Sequence, residues 1–165
     1  MKKYVFRPYD PIFSELFNQE KQRIAPHLHK ALAIEHVGST AVVNLGGKGI
    51  IDIAIAVNKD DLEVTSSQLQ SLGYEFRPNF STADRYYLVI YLPDPIEEIR
   101  RYHVHLTYPE SNEWKGLIGF RDYLRDHPDE AQEYAEMKKR AALEANHDGE
   151  RYRKMKEPIF KKFKS

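Results

Sequence analysis

The sequence predicts an α+β fold: a mixed sheet backed by helices, with a helical C-terminal third. Three observations predict it. Residues 50–57, IIDIAIAV, are almost all apolar and β-branched, the pattern of a central strand covered on both faces. Residues 85–92 and 100–108 have a similar β-branched and aromatic character. Beyond residue 110 the apolar spacing turns helical and long-chain helix formers dominate.

The elements follow in order. Asp10-Pro11 is a helix start, a capping acceptor before proline at the first helical position. Ile12, Phe13, Leu16, Phe17, Ile24 and Leu28 make the apolar stripe of that helix, with a soft patch at Glu20 and a stop or kink at Pro26. ALAIEHV, 31–37, is a short strand, and GSTAVVNLGGKG, 38–49, a loop with one helical turn after Ser39. After the IIDIAIAV strand, residues 60–73 form a helix with Leu62, Leu69 and Leu72 inward and a glycine stop. YEFRP, 74–78, is a short strand. The strands RYYLVIYL and RRYHVHLTY are separated by PDPIEEI, whose two prolines break the pattern. Helices are expected over 113–127, with Leu117, Phe120 and Leu124 on one face, over 128–146, and over 149–163 with a kink at Pro158.

The 165 residues suit one domain with a real core, in which 1–110 form the α/β part and 111–165 the helices packed on it. With 25 basic and 25 acidic side chains, net charge argues for neither nucleic acid nor membrane as partner. The absence of cysteine removes disulfides, thiol nucleophiles and Cys-ligated zinc. The basic N-terminus has no apolar run after it and no segment reaches membrane-span length, so a cytoplasmic protein is expected.

Two features carry chemistry. The Gly-Ser at 38–39, ending a short strand, offers backbone N–H groups and a hydroxyl to an anion; Gly38 admits close approach, Ser39 and Thr40 add hydroxyls, and Lys48 adds a charge. Asp52 stands among isoleucines, where a carboxylate needs a partner: a buried hydrogen bond or salt bridge on one reading, a metal or cation on the other. His103 and His105 are two apart on a strand, hence on one face. Ordinary hydrogen bonding explains such a pair. Convergence with Asp52 on zinc, manganese or iron, or an acid–base role for His105, is the functional alternative. His36 can join that cluster or pair with Glu35.

Arg121 and Arg125 share a helix face and repel unless an anion, Asp122 or a phosphate, lies between them. Tyr134 with Lys138, and Tyr152 with Lys156, repeat a Tyr-x-x-x-Lys spacing. Such pairs stack on a base and hold a phosphate, or are lysines snorkelling over core tyrosines. The last helix is basic and would be either a solvated face or a positive wall of the Gly-Ser cleft.

YDPIFSELF, IEHVGSTAVVNLGGKGIIDI, YHVHL and FRDYLRDHPDEAQEYAEMKKRAA resemble, in order and spacing, the motifs of the GrpB family, over almost the whole chain. The resemblance implies a nucleotidyltransferase-like fold. It places Gly38 and Ser39 in the phosphate loop and Asp52 at the first metal carboxylate. The second carboxylate position is Ala54, a loss that family members tend to share. The family loop reads STAVPGL…KPIID; here Val43, Asn44 and Gly49 replace proline, glycine and proline.

These readings lead to a nucleotide or phosphorylated metabolite as ligand. An enzyme would use Asp52 and His105 in nucleotidyl or phosphoryl transfer. Gly38, Ser39, Thr40, Lys48, Arg121, Arg125, Tyr152 and Lys156 would hold the ligand. Asp52, His103 and His105 would hold a divalent metal (Mg, Mn or Zn). A non-catalytic binding module, favoured by Ala54, and an interaction scaffold without ligand are the alternatives.

Overall fold

The structure, a computed structural model, describes residues 5–144. Tyr152, Lys156 and the third C-terminal helix lie outside the described residues. Helix α1 spans Ile12–Ile24, strand β1 Ala33–Val37, β2 Ile51–Ala56, α2 Leu62–Ser71, β3 Glu75–Phe76, β4 Tyr86–Pro93, β5 Ile99–Thr107, α3 Asn112–Asp126 and α4 Pro128–Glu144. The five strands lie in the order β1-β2-β5-β4-β3. The β2–β5 pair is parallel and the other pairs antiparallel, so the sheet is mixed as predicted. Among the described residues no helix is long and apolar enough to cross a membrane.

Alternation along the strands divides the sheet into two faces. Ile51, Ile53 and Ile55 of β2, with Val104 and Leu106 of β5 and Leu88 of β4, pack with Phe13, Leu16 and Phe17 of α1 and Leu62 and Leu69 of α2. Each such side chain, fully buried, contributes about 1.5–3 kcal/mol. The opposite face of β2 carries Asp52, Ala54 and Ala56, and its register sets Asp52 beside His103 and Ala54 beside His105. A second apolar cluster, of Val42, Leu45, Leu124, Ala131, Tyr134 and Ala135, joins the loop after β1 to α3 and α4.

The helix ends follow their sequence signals. Asp10 accepts the backbone N–H of Ile12 at 2.9 Å, and α1 gives way at Ala25–His27 to a tighter turn containing Pro26. Ser111 caps α3 by accepting from Trp114 N at 3.0 Å, and its hydroxyl is hydrogen-bonded to that of Thr107 at 2.8 Å. That bond ties the start of α3 to the end of β5. The soft patch at Glu20 is instead a buried polar network: its carboxylate accepts from Tyr74 Oη at 2.5 Å and from Arg23 Nε at 2.7 Å. PDPIEEI separates β4 from β5 as expected, as the turn of a hairpin whose Asp94 binds Arg100 through both oxygens, at 2.6 and 2.9 Å.

Candidate functional site

Gly38 ends β1 with φ +77°, a conformation that glycine adopts without strain. A β-carbon there would lie 2.5 Å from Asp52 Oδ2. The loop glycine and the strand aspartate are therefore packed directly together. Ser39 opens a single tight turn, Ser39–Ala41. Its hydroxyl and Lys138 Nζ converge over Gly47, where an added β-carbon would meet them at 2.6 and 2.9 Å.

The rest of the loop is held from outside. Lys138 Nζ donates to Gly46 O at 2.6 Å, Arg125 Nε to Ala41 O at 2.9 Å, and Arg100 Nη1 to Gly49 O at 2.7 Å. Arg7 and Gly47 exchange backbone hydrogen bonds at 2.7 and 2.9 Å. Asn44 has φ +69°, at a position where the family pattern has glycine; asparagine is among the L residues that tolerate this best. Gly49, at φ +75°, stands where the pattern has proline, which is fixed near −65°, so the backbone takes a path that proline forbids.

Asp52 is the centre of the polar cluster. Its Oδ1 lies 3.1 Å from His105 Nε2 and 3.5 Å from His103 Nδ1. Tyr87 Oη bonds to His103 Nδ1, and the Tyr87 ring meets both imidazoles edge-on. On the far side of His105, Glu113 Oε2 of α3 lies 3.4 Å from Nδ1, an ion pair too loose for a well-formed hydrogen bond. Arg85 Nη1 meets the other oxygen of Glu113, also at 3.4 Å.

Charge follows geometry. Burial opposes the ionised form of Asp52, but hydrogen bonds and charge from the two histidines overcome it and hold the pKa well below the carboxylate range. For His105, burial opposes the cation while Asp52 and Glu113 favour it, and the pKa is pushed up to about 9. For His103 burial prevails and its pKa falls. Tyr87 Oη and Asp52 share His103 Nδ1, and His103 Nε2 is buried with no hydrogen-bond partner among the described residues. The site thus sets an anionic carboxylate and an imidazolium beside a glycine-rich loop. His105 in this state is an acid, not a base.

Several predicted ligands are used elsewhere. Thr40 is wholly buried; its hydroxyl meets His36 Nε2 at 2.9 Å and donates to Ile50 O at 3.1 Å, so it is committed to the loop's own structure. His36 faces α1 and stacks on Phe17 at 4.8 Å, away from the Asp52 cluster. Lys48 is exposed, and the ammonium over Gly47 is that of Lys138. Tyr134 and Lys138 are both buried, with Nζ 5.2 Å from the Tyr134 ring centroid, so this pair is the lysine over a core tyrosine. Arg121 pairs with Glu35 at 2.8 Å, and Asp122 pairs with Arg121 at 2.9 Å rather than with Arg125. Both arginines line a separate cleft at the edge of β1. Tyr87 and Glu113 carry no sequence signal for the site: one reads as a strand aromatic, the other as an acidic residue in a helix's first turn.

The model of the family described as GrpB protein matches residues 4–165. This chain belongs to the GrpB family. The GrpB-family chain is 37% identical over 154 residues to UPF0157 protein PA4798 of Pseudomonas aeruginosa, covering 92% of this chain and 62% of that protein. It is 32% identical over 141 residues to UPF0157 protein YqkA of Bacillus subtilis, covering 82% of this chain and 39% of that one. The chain therefore spans less than two thirds of the length of these GrpB relatives. The crystal structure of the conserved protein GrpB from Enterococcus faecalis superposes with TM-score 0.81 at 31% identity, covering 97% of this chain and 94% of that one.

Proposed function

We propose that this GrpB-family chain binds a nucleotide or other phosphorylated metabolite at the mouth formed by Gly38, Ser39 and Gly47, and transfers a nucleotidyl or phosphoryl group there with a divalent cation. The observation that carries the reading is the packing of Asp52 Oδ2 against Gly38, 2.5 Å from where its β-carbon would lie. A backbone suited to phosphate and an ionised carboxylate meet at one point, as in the nucleotidyltransferase-like superfamily that the family resembles. Ser39 Oγ would donate to a phosphoryl oxygen. Lys138 would hold the loop and lend positive charge.

A cation would be held by Asp52 with His103 and His105. The Asp52 carboxylate lies 3.1 Å from one imidazole and 3.5 Å from the other, so a cation held by it would be within reach of both rings. Among the described residues no group of three His, Cys, Asp or Glu side chains stands ready to hold a metal ion, and His105 is protonated. The cation would have to displace that proton and turn the ring, so its affinity would rise with pH. Bound there, it would neutralise charge on the phosphoryl oxygens.

A second reading, binding without chemistry, is supported by Ala54. It is fully buried at the second carboxylate position, its register neighbours being Glu35 and His105. A thermal-shift screen of ATP, GTP, CTP and UTP, each with and without magnesium, manganese or zinc, tests both. A ligand at 100 times its Kd adds about 2.7 kcal/mol of stability. Metal-dependent stabilisation lost in Asp52→Asn and weakened in Ser39→Ala, followed by turnover, supports transfer. Stabilisation without turnover under any metal supports the binding module. Absence of any shift sinks both.

A further inference from the structure

A second cleft, of about 230 Å³, opens at the outer edge of β1 between α1 and α3. None of Gly38, Ser39, Asp52, His103 or His105 lines it. Ser14, Asn18 and Lys21 reach it from α1, and Arg121 and Arg125 from α3. The only carboxylate in its lining, Glu35, is held by Arg121 at 2.8 Å. His36, also in the wall, is neutral because burial pushes its pKa down to about 4. Asp122, outside the lining, also pairs with Arg121, so the excess positive charge of the cleft rests on Lys21 and Arg125.

The two arginines differ in their engagements. Arg121 is occupied by Glu35, Asp122 and His36 O. Arg125 donates only its Nε, to Ala41 O, and among the described residues no carboxylate pairs with it. Its terminal nitrogens are left for the cleft. Two guanidinium groups four residues apart on one helix face repel, and an oxyanion between them relieves that repulsion with paired N–H donors. Ser14 and Asn18 add neutral donors. The volume lies below the roughly 300–1,000 Å³ of clefts that bury a drug-sized ligand, which favours a phosphate-sized group over a whole nucleotide.

We propose that this cleft is an anion site separate from the Asp52 cluster, taking a phosphate-sized dianion between Lys21 and Arg125 with Arg121 as its fixed wall. The inference stands apart from the proposed chemistry at Asp52 and survives its failure.

Inorganic phosphate is the probe, titrated into the 165-residue chain by calorimetry at constant ionic strength against chloride. The variants are Arg125→Gln and Lys21→Gln, each made in a Ser39→Ala background so that phosphate held at the glycine-rich loop does not enter the titration. Lys21 is exposed, so its variant guards against a fold defect in Arg125→Gln, which also loses the Ala41 contact. Against the Ser39→Ala parent, we expect the phosphate Kd to rise tenfold or more with Arg125→Gln and severalfold with Lys21→Gln. Two results would each overturn the proposal: no binding of phosphate beyond chloride in the Ser39→Ala parent, or unchanged affinity in both cleft variants.

Discussion

The carboxylate of Asp52 fills the space that a β-carbon on Gly38 would need, 2.5 Å from Oδ2. Gly38→Ala therefore meets two obstacles, a backbone at φ +77° and a clash with an ionised group. We expect it to destabilise the fold by at least about 1–2 kcal/mol in urea unfolding. Gly116→Ala is the counterpart: an added β-carbon there meets nothing within 4 Å in helix α3, and a gain of about 0.5–1 kcal/mol is expected. Equal effects at the two positions would refute the packing described for Gly38.

Much of this was legible in the sequence. The isoleucine run located β2, and period two put His103 and His105 on the face of Asp52 once β2 and β5 paired in parallel. Gly38 and Ser39 were marked by residue type and position alone. What the sequence could not supply was which distant groups arrive at the cluster. Glu113 comes from the first turn of α3 and Tyr87 from β4, each by tertiary packing. Lys48 was nearest in sequence, yet Lys138, 91 positions on from Gly47, is the lysine that reaches the loop. Proximity along the chain is a poor guide to charge once a helix folds back.

Lowering pH should expose the burial of His36. Its folded pKa of about 4 lies below the unfolded value of about 6.5, so the unfolded chain binds a proton that the native chain refuses. The stability contribution is complete above pH 6.5 and is lost as pH falls from 6.5 towards 4. The loss reaches about 3 kcal/mol at most. Urea unfolding at steps across this window should give a steeper slope for wild type than for His36→Gln, and parallel slopes would refute the assignment.

Arg100→Met removes the partner of a carboxylate with no exposed surface, Asp94, together with the donor to Gly49 O. Breaking a buried ion pair from one side costs about 3–5 kcal/mol. The double variant Arg100→Met/Asp94→Leu should recover part of that loss. It cannot recover all, because Asp94 also accepts from the backbone N–H groups of Ile96 and Glu97. A denaturation series on the single and double variants measures both terms.

Lys138→Met leaves Gly46 O without this donor, at a cost of about 1–3 kcal/mol. Amide exchange should locate the effect: residues 42–47 lose protection more than the strands β2 and β5, whose ladder is untouched. A uniform loss across the sheet would mean that Lys138 serves the global fold rather than the loop.

The loop between β1 and β2 is gripped through its carbonyl groups by side chains 51 to 92 positions further along: Arg100 on Gly49, Arg125 on Ala41 and Lys138 on Gly46. During synthesis those residues leave the ribosome long after the loop itself. Strands β1 and β2 can pair early, but their connection takes its final shape only once α4 has been made and docked. The loop shape at Gly38 and Ser39 is thus acquired at the end of folding, and a chain stopped before residue 138 would carry the motif without its shape.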